Sequence, residues 1–240
     1  DRVEAAYLDH LLRAEVPLYG LARTTLGYVL MDRAGMEGLR ARIGGEIPWG
    51  PPDALSRASR RLDPDQKRAQ ADIRRLCIGR CLPQRLGRML TRELPEGTAY
   101  FNVGHSNLTD RVLHAVKHAL RARVVVMIHD TIPLDYPQYQ REGTVVPFGR
   151  MLERVRRSAD LILCNSDQTR ADVIRHMKPH GAVPDCVVAL LGVDIAGPEE
   201  MEMPEGFDPD RPAFVVLGTI EPRKNHALLL DIWDELTQDH

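Results

Sequence analysis

The chain has 240 residues, a formal net charge of −2, 43% hydrophobic and 28% charged residues. That balance excludes a generally basic surface of the kind that binds nucleic acid, and the lack of any apolar run near 18 residues excludes a membrane-spanning helix. The length accommodates one large domain or one and a half ordinary ones, at roughly 150 residues each.

The opening DRVEAAYLDH reads as a polar helix over 2–13 and lacks the basic–apolar–small order of a leader. Because the chain begins at Asp1, with no strand before this helix, both of its ends are expected to continue in a larger protein. PLYGLARTTLGYVLMDRAGMEGL predicts two short strands about a turn and a helix from near Arg33. GGEIPWGPP is a loop by its glycine and proline content. Residues 63–92 are expected to be helical, with Asp63 as the cap, Pro64 as the first helical residue and a break or kink at Pro83. Between Ala54 and Leu94 eleven cations stand against four anions. This reads either as a solvated helix face or as a surface for anionic lipid or a phosphorylated acceptor. The cysteines, Cys77, Cys81, Cys164 and Cys186, have no zinc-site spacing and read as small core residues in a reducing compartment.

From Thr98 onward strands alternate with helices. TAYFNVG is a strand and 109–122 a helix; RVVVMIHD is a buried parallel strand, with a helix over 147–159 after it. DLILCNS is a strand, Ser166 caps a helix running through His176, and CVVALLGV is a strand. Residues 194–210 hold seven acids, three prolines and no cation, which predicts an exposed linker. AFVVLGTI then begins a fresh strand, followed by a helix. The pattern predicts an α/β protein with doubly wound parallel sheets. Residues 1–192 are read as a Rossmann-like domain, 193–212 as a linker, and 213–240 as the first strand and helix of a second such domain.

Ligands of these sheets bind beyond the carboxyl ends of the strands. The loops in question are 104–107, 129–133, 165–166 and 219–225. In GTIEPRKN, Arg223 and Lys224 stand together where a helix opens, a planar fork and a point charge suited to adjacent phosphates. His129 and Asp130 end a strand, where a neutral imidazole can donate to a ligand oxygen. YFNVGHSNL gathers His105, Ser106 and Asn107, donors and acceptors of the kind that sugar hydroxyls require. The same loop also fits a capping turn, with Asn107 or Thr109 opening the next helix. His114 and His118 in HAVKH lack the glutamate of a zinc-protease helix and read as part of an amphipathic surface helix.

Taken together, LGTIEPRKNHALLLDIW, HDTIPLDYP, ADLILCNSDQTRADV and YFNVGHSNL resemble bacterial retaining glycosyltransferases of the group 1 class (family 4), which have the two-domain GT-B fold. The resemblance covers most of the chain from Tyr100 onward. It implies that Arg223 and Lys224 grip the diphosphate of a nucleotide-sugar donor, with Glu221 structural or near the donor, and that His129 lies by the donor sugar. Asp130, His105 and Asn107 would be on the acceptor side. It further implies transfer of a hexose, with retention, to a glycan or lipid-linked acceptor in surface polysaccharide synthesis. The leaving phosphate would help to deprotonate the acceptor hydroxyl. No metal or other cofactor and no nucleic acid partner is implied. The expected location is the cytoplasm, with peripheral contact at the inner membrane face through the basic 54–94 region. The family's later glutamates and base pocket would fall beyond His240, so these 240 residues alone are expected to be inactive.

Two other readings compete. One is a non-catalytic GT-B-like protein that binds a glycan or nucleotide sugar, which would tolerate His129→Ala far better than a transferase. The other is a nucleotide-sugar epimerase, whose catalytic acids have no counterpart in the sequence.

Overall fold

A computed structural model describes residues 2–192, 208 and 213–238. They divide into two compact units, one of residues 2–131 and 146–191, the other of residues 132–145, 192, 208 and 213–238.

In the first unit α1 (Arg2–Arg13) forms as expected. The strands β1 (Gly20–Thr24) and β2 (Gly27–Met31) pair as an antiparallel hairpin with Leu21 opposite Leu30. Asp32 caps α2 (Arg33–Ile43) by accepting from the Gly35 N–H. A two-pronged pair, Arg40 to Asp9 at 2.6 and 2.9 Å, joins α2 to α1. The 44–52 loop leads to α3 (Ala54–Ala58), a short helix not anticipated from the sequence and capped by Asp53.

The helix expected over 63–92 is corrected. Its start is as read: Asp63 and Gln66 form a capping box and Pro64 opens α4 (Pro64–Arg75). It ends well before Pro83, because the edge of β2 takes over. All five residues of β2 are buried, so its outer backbone groups require partners. The Ile78 N–H donates to the Leu30 carbonyl at 2.8 Å, and Gly79–Cys81 becomes β3, antiparallel to β2. The chain then resumes as α5 (Leu86–Glu93), whose Leu86, Met89 and Leu90 are buried. Asp72 of α4 ties this region together, accepting from Arg42, Arg75 and the Gly50 N–H.

The second sheet of this unit is parallel throughout: β4 (Ala99–Asn102), β5 (Arg123–Ile128), β6 (Leu161–Cys164) and β7 (Asp185–Val188), in that spatial order. The four strands step in one direction, and the reversal of order that makes a sheet doubly wound is not among them. Parallel neighbours require crossovers. α6 (Asp110–His114), extended by a π turn over Ala115–Ala119, joins β4 to β5. Beyond α7 (Ile132–Asp135), which belongs to the second unit, α8 (Val145–Ser158) leads to β6, and α9 (Asp167–Met177) leads to β7. The core lies between sheet and helices, with Val124, Val126, Met127 and Ile162 fully buried alongside Val112, Val155 and Val173. This α/β arrangement with a parallel sheet is consistent with a Rossmann-like domain.

The second unit departs from expectation. Residues 213–220 join no sheet among the described residues, so the predicted strand AFVVLGTI is absent as a strand. A β-strand is completed by a neighbour, and none pairs with this stretch among the described residues. A short 3₁₀ turn, Pro222–Lys224, precedes α10 (His226–Gln238), and Phe214 meets Trp233 edge-on at 5.9 Å. The predicted acidic linker lies outside the described residues except for Asp208. Among the described residues no helix is long and apolar enough to cross a membrane.

Candidate functional site

A group of polar side chains gathers at the carboxyl ends of β4 and β5. The loop leaving β4 is folded tightly. Asn102 donates through Nδ2 to the Ser106 carbonyl at 2.5 Å and to the Tyr100 hydroxyl at 3.0 Å. His105 and Asn107 take φ values of 59° and 60°, left-handed conformations that are uncommon outside glycine and that concentrate at functional sites. Between them and the strand sits Gly104, and a Cβ there would lie 1.6 Å from Oε1 of Glu4. Glycine is therefore required for the carboxylate of α1 to approach the loop. The Oδ1 of Asn102 is buried and has no donor among the described residues.

Two imidazoles dominate the site. Their ring centres are 5.3 Å apart. His105 Nε2 lies 3.0 Å from the Met127 carbonyl, and His129 Nε2 lies 2.6 Å from the Val103 carbonyl. A carbonyl only accepts, so each Nε2 carries the proton. In the neutral rings Nδ1 is then a hydrogen-bond acceptor. This changes the role read from the sequence: a neutral His129 gives its one N–H to Val103 and can receive a ligand hydroxyl rather than donate to a ligand oxygen. Burial, and then the electrostatic influence of the neighbouring His129 ring, push the His105 pKa below its ordinary value; the Met127 carbonyl, Asp130 and Glu4 offset part of that shift.

Second-layer contacts hold this geometry. The Thr169 hydroxyl, in the first turn of α9, shares its one proton between Asn165 Oδ1 at 2.8 Å and the His129 carbonyl at 3.2 Å. Ser166 caps α9, as expected, by accepting from the Thr169 N–H at 3.0 Å. Phe148 lies edge-on to His105 at 6.3 Å. Asn107 is turned toward the hairpin, its amide 3.5 Å from the Leu21 carbonyl, and it does not open the following helix; Thr109 does. Of the residues proposed from sequence, then, His105, His129 and Asp130 come together. Asn102, Glu4, Phe148 and Thr169 were not anticipated. Asn102 ends the same YFN strand and was within reach of a sequence reading, but no local signal connects Glu4 to a loop 100 residues away.

In the second unit Arg223 donates to Glu221 at 2.8 Å, and Glu221 also accepts from the Thr219 hydroxyl at 3.3 Å. Asn225, with φ of 49°, ends the 3₁₀ turn and starts α10. Lys224 has no ion-pair partner among the described residues. No group of three His, Cys, Asp or Glu side chains among the described residues is disposed to hold a metal ion.

No protein-family profile matches the chain. A serotype-specific mannosyltransferase WbdA from Escherichia coli is 27% identical over 123 residues, covering 46% of this chain and 15% of that protein. Two further proteins of the same name and organism are 26% identical over 126 residues, covering 47% of this chain and 16% and 15% of their own lengths. The chain is similar to a glycosyltransferase. The matched stretch is thus a small part of those relatives, 15–16% of their length.

Proposed function

We propose that the chain is part of a retaining glycosyltransferase of the GT-B type, family 4. It moves a hexose from a nucleotide-diphosphate sugar to a glycan or lipid-linked acceptor in surface polysaccharide synthesis. The observation that carries this reading is the imidazole pair, His105 and His129, at the carboxyl ends of two parallel strands with both Nε2 atoms engaged by backbone carbonyls. Such a pair offers acceptors to sugar hydroxyls in a region where α/β sheets bind ligands. The similarity to mannosyltransferases supports the same class and makes mannose the first donor sugar to test.

On this proposal His129 accepts a hydroxyl of the reacting sugars, while His105, Asp130 and Asn107 form the acceptor side. Arg223 and Lys224 stabilise the charge that develops on the departing diphosphate, and Glu221 holds the Arg223 guanidinium in position. The chemistry needs no metal. The protein works in the cytoplasm, and its activity belongs to the complete gene product.

The test is thermal stability of the complete gene product with GDP, UDP, ADP and dTDP and their common sugars, beside Lys224→Ala. Stabilisation by one nucleotide class, lost in the variant, is expected. A folded protein that responds to none of them would overturn the proposal.

A further inference from the structure

A cavity of about 740 Å³ lies in the first unit away from the imidazole pair, between α5, the α6 segment with its π turn, and the end of α8. Its wall carries Arg88, Arg111, His114, His118 and Arg157, with Asp110 as the one acid. Asp110 is 3.9 Å from Arg157, which lies nearer Glu153 at 3.6 Å. Arg88 and Arg111 have no ion pair and no side-chain hydrogen bond among the described residues.

The packing explains the convergence. Small residues let the helices meet closely: a Cβ at Gly87 would lie 3.0 Å from the Ala119 Cβ, so α5 and the π turn approach almost backbone to backbone. That closeness puts Arg88 of one helix and Arg111, His114 and His118 of the other on the lining of one cavity. The two imidazoles are 4.8 Å apart, and they stand at the junction of α6 with a π turn, an irregularity frequent at functional sites. The lining is rich in donors and poor in acceptors. Guanidinium forks and imidazole N–H groups suit an anion with several oxygens.

We propose that this cavity binds a phosphoryl group, as a phosphomonoester or diphosphate, carried by a small molecule or by a lipid headgroup. The site is built from residues other than Arg223 and Lys224 and does not depend on the glycosyltransferase reading.

The test is calorimetric titration of inorganic pyrophosphate into the complete protein carrying Arg223→Ala and Lys224→Ala, so that the other candidate phosphate site is silent. Binding is expected, and adding Arg88→Ala with Arg111→Ala weakens it at least about tenfold. Both arginines are exposed, so the variant's unliganded melting temperature should match its parent's. Arg88→Lys with Arg111→Lys, which keeps charge but loses the forks, falls between the two. Co-sedimentation with phosphatidate-containing vesicles, absent with phosphatidylcholine alone and lost in the alanine variant, would identify a lipid headgroup; pyrophosphate binding without it would identify a free phosphorylated molecule. No heat of binding, or equal affinity in the alanine variant, would overturn the proposal.

Discussion

Two stretches of nearly the same composition meet opposite fates. VVVM at 124–127 becomes the middle of β5, with Val124, Val126 and Met127 at 0% exposure. FVVL at 214–217 joins no sheet, and Val215 and Leu217 are 90% and 96% exposed. The apolar run is equally strong in both. What differs is the neighbourhood: β5 has β4 on one side, β6 on the other and helices over it, whereas residues 213–220 have no paired strand among the described residues. Strand identity is a property of pairing as much as of sequence. The two candidate site regions inherit this contrast. His129 follows a buried strand and is held by Val103 and Thr169, while Arg223 is held by Glu221 within its own turn.

The contrast can be broken most forcefully by placing a charge in each stretch. Val126→Asp should lower stability by about 4 kcal/mol or more, because the carboxylate would be buried without a partner. Val215→Asp should change it by no more than about 0.5 kcal/mol. Urea unfolding followed by circular dichroism measures both, and equal effects would refute the assignment of the two environments. A smaller difference is expected between two ion pairs. Asp72, 2% exposed, serves two arginines and a backbone N–H, so Asp72→Ala should cost about 3 kcal/mol. Glu221→Ala, at a solvent-facing pair, should cost under about 1 kcal/mol.

The smallest effect is electrostatic. His105 has a folded pKa below its ordinary 6.5, so the unfolded chain binds more protons in the window below that value. Stability therefore falls as pH drops below 6.5, and above it His105 contributes no dependence. His105→Gln should make the decline between pH 7 and pH 5 shallower, as read by thermal melts across that range. An unchanged slope would mean that the imidazole is not held neutral.

Much of the fold was legible because it was locally encoded. The Asp63 and Ser166 caps follow from side chains that satisfy nearby backbone groups, and the bounds of α1 were read from its polar helical pattern. β5 was legible from a β-branched run long enough to demand burial on both faces. The errors were non-local. Nothing in LCIGRC announces that Ile78 will meet Leu30, about fifty residues earlier, and end a helix in favour of β3. The candidate site divides the same way. The His–Asp pair at a strand end and the Gly-His-Ser-Asn loop were visible, but the tautomers of His105 and His129 depend on the carbonyls of Met127 in β5 and of Val103 just after β4, and Glu4 arrives from α1.

The most direct test of the proposed chemistry is sugar transfer by the complete gene product, wild type against His129→Ala, with whichever donor its nucleotide response selects. A transferase that uses the Nδ1 of His129 should lose at least about a hundredfold in kcat while keeping its nucleotide-induced stabilisation. Transfer at the wild-type rate in the variant would contradict that role. Nucleotide binding without any transfer by the wild type would instead establish a non-catalytic binding protein.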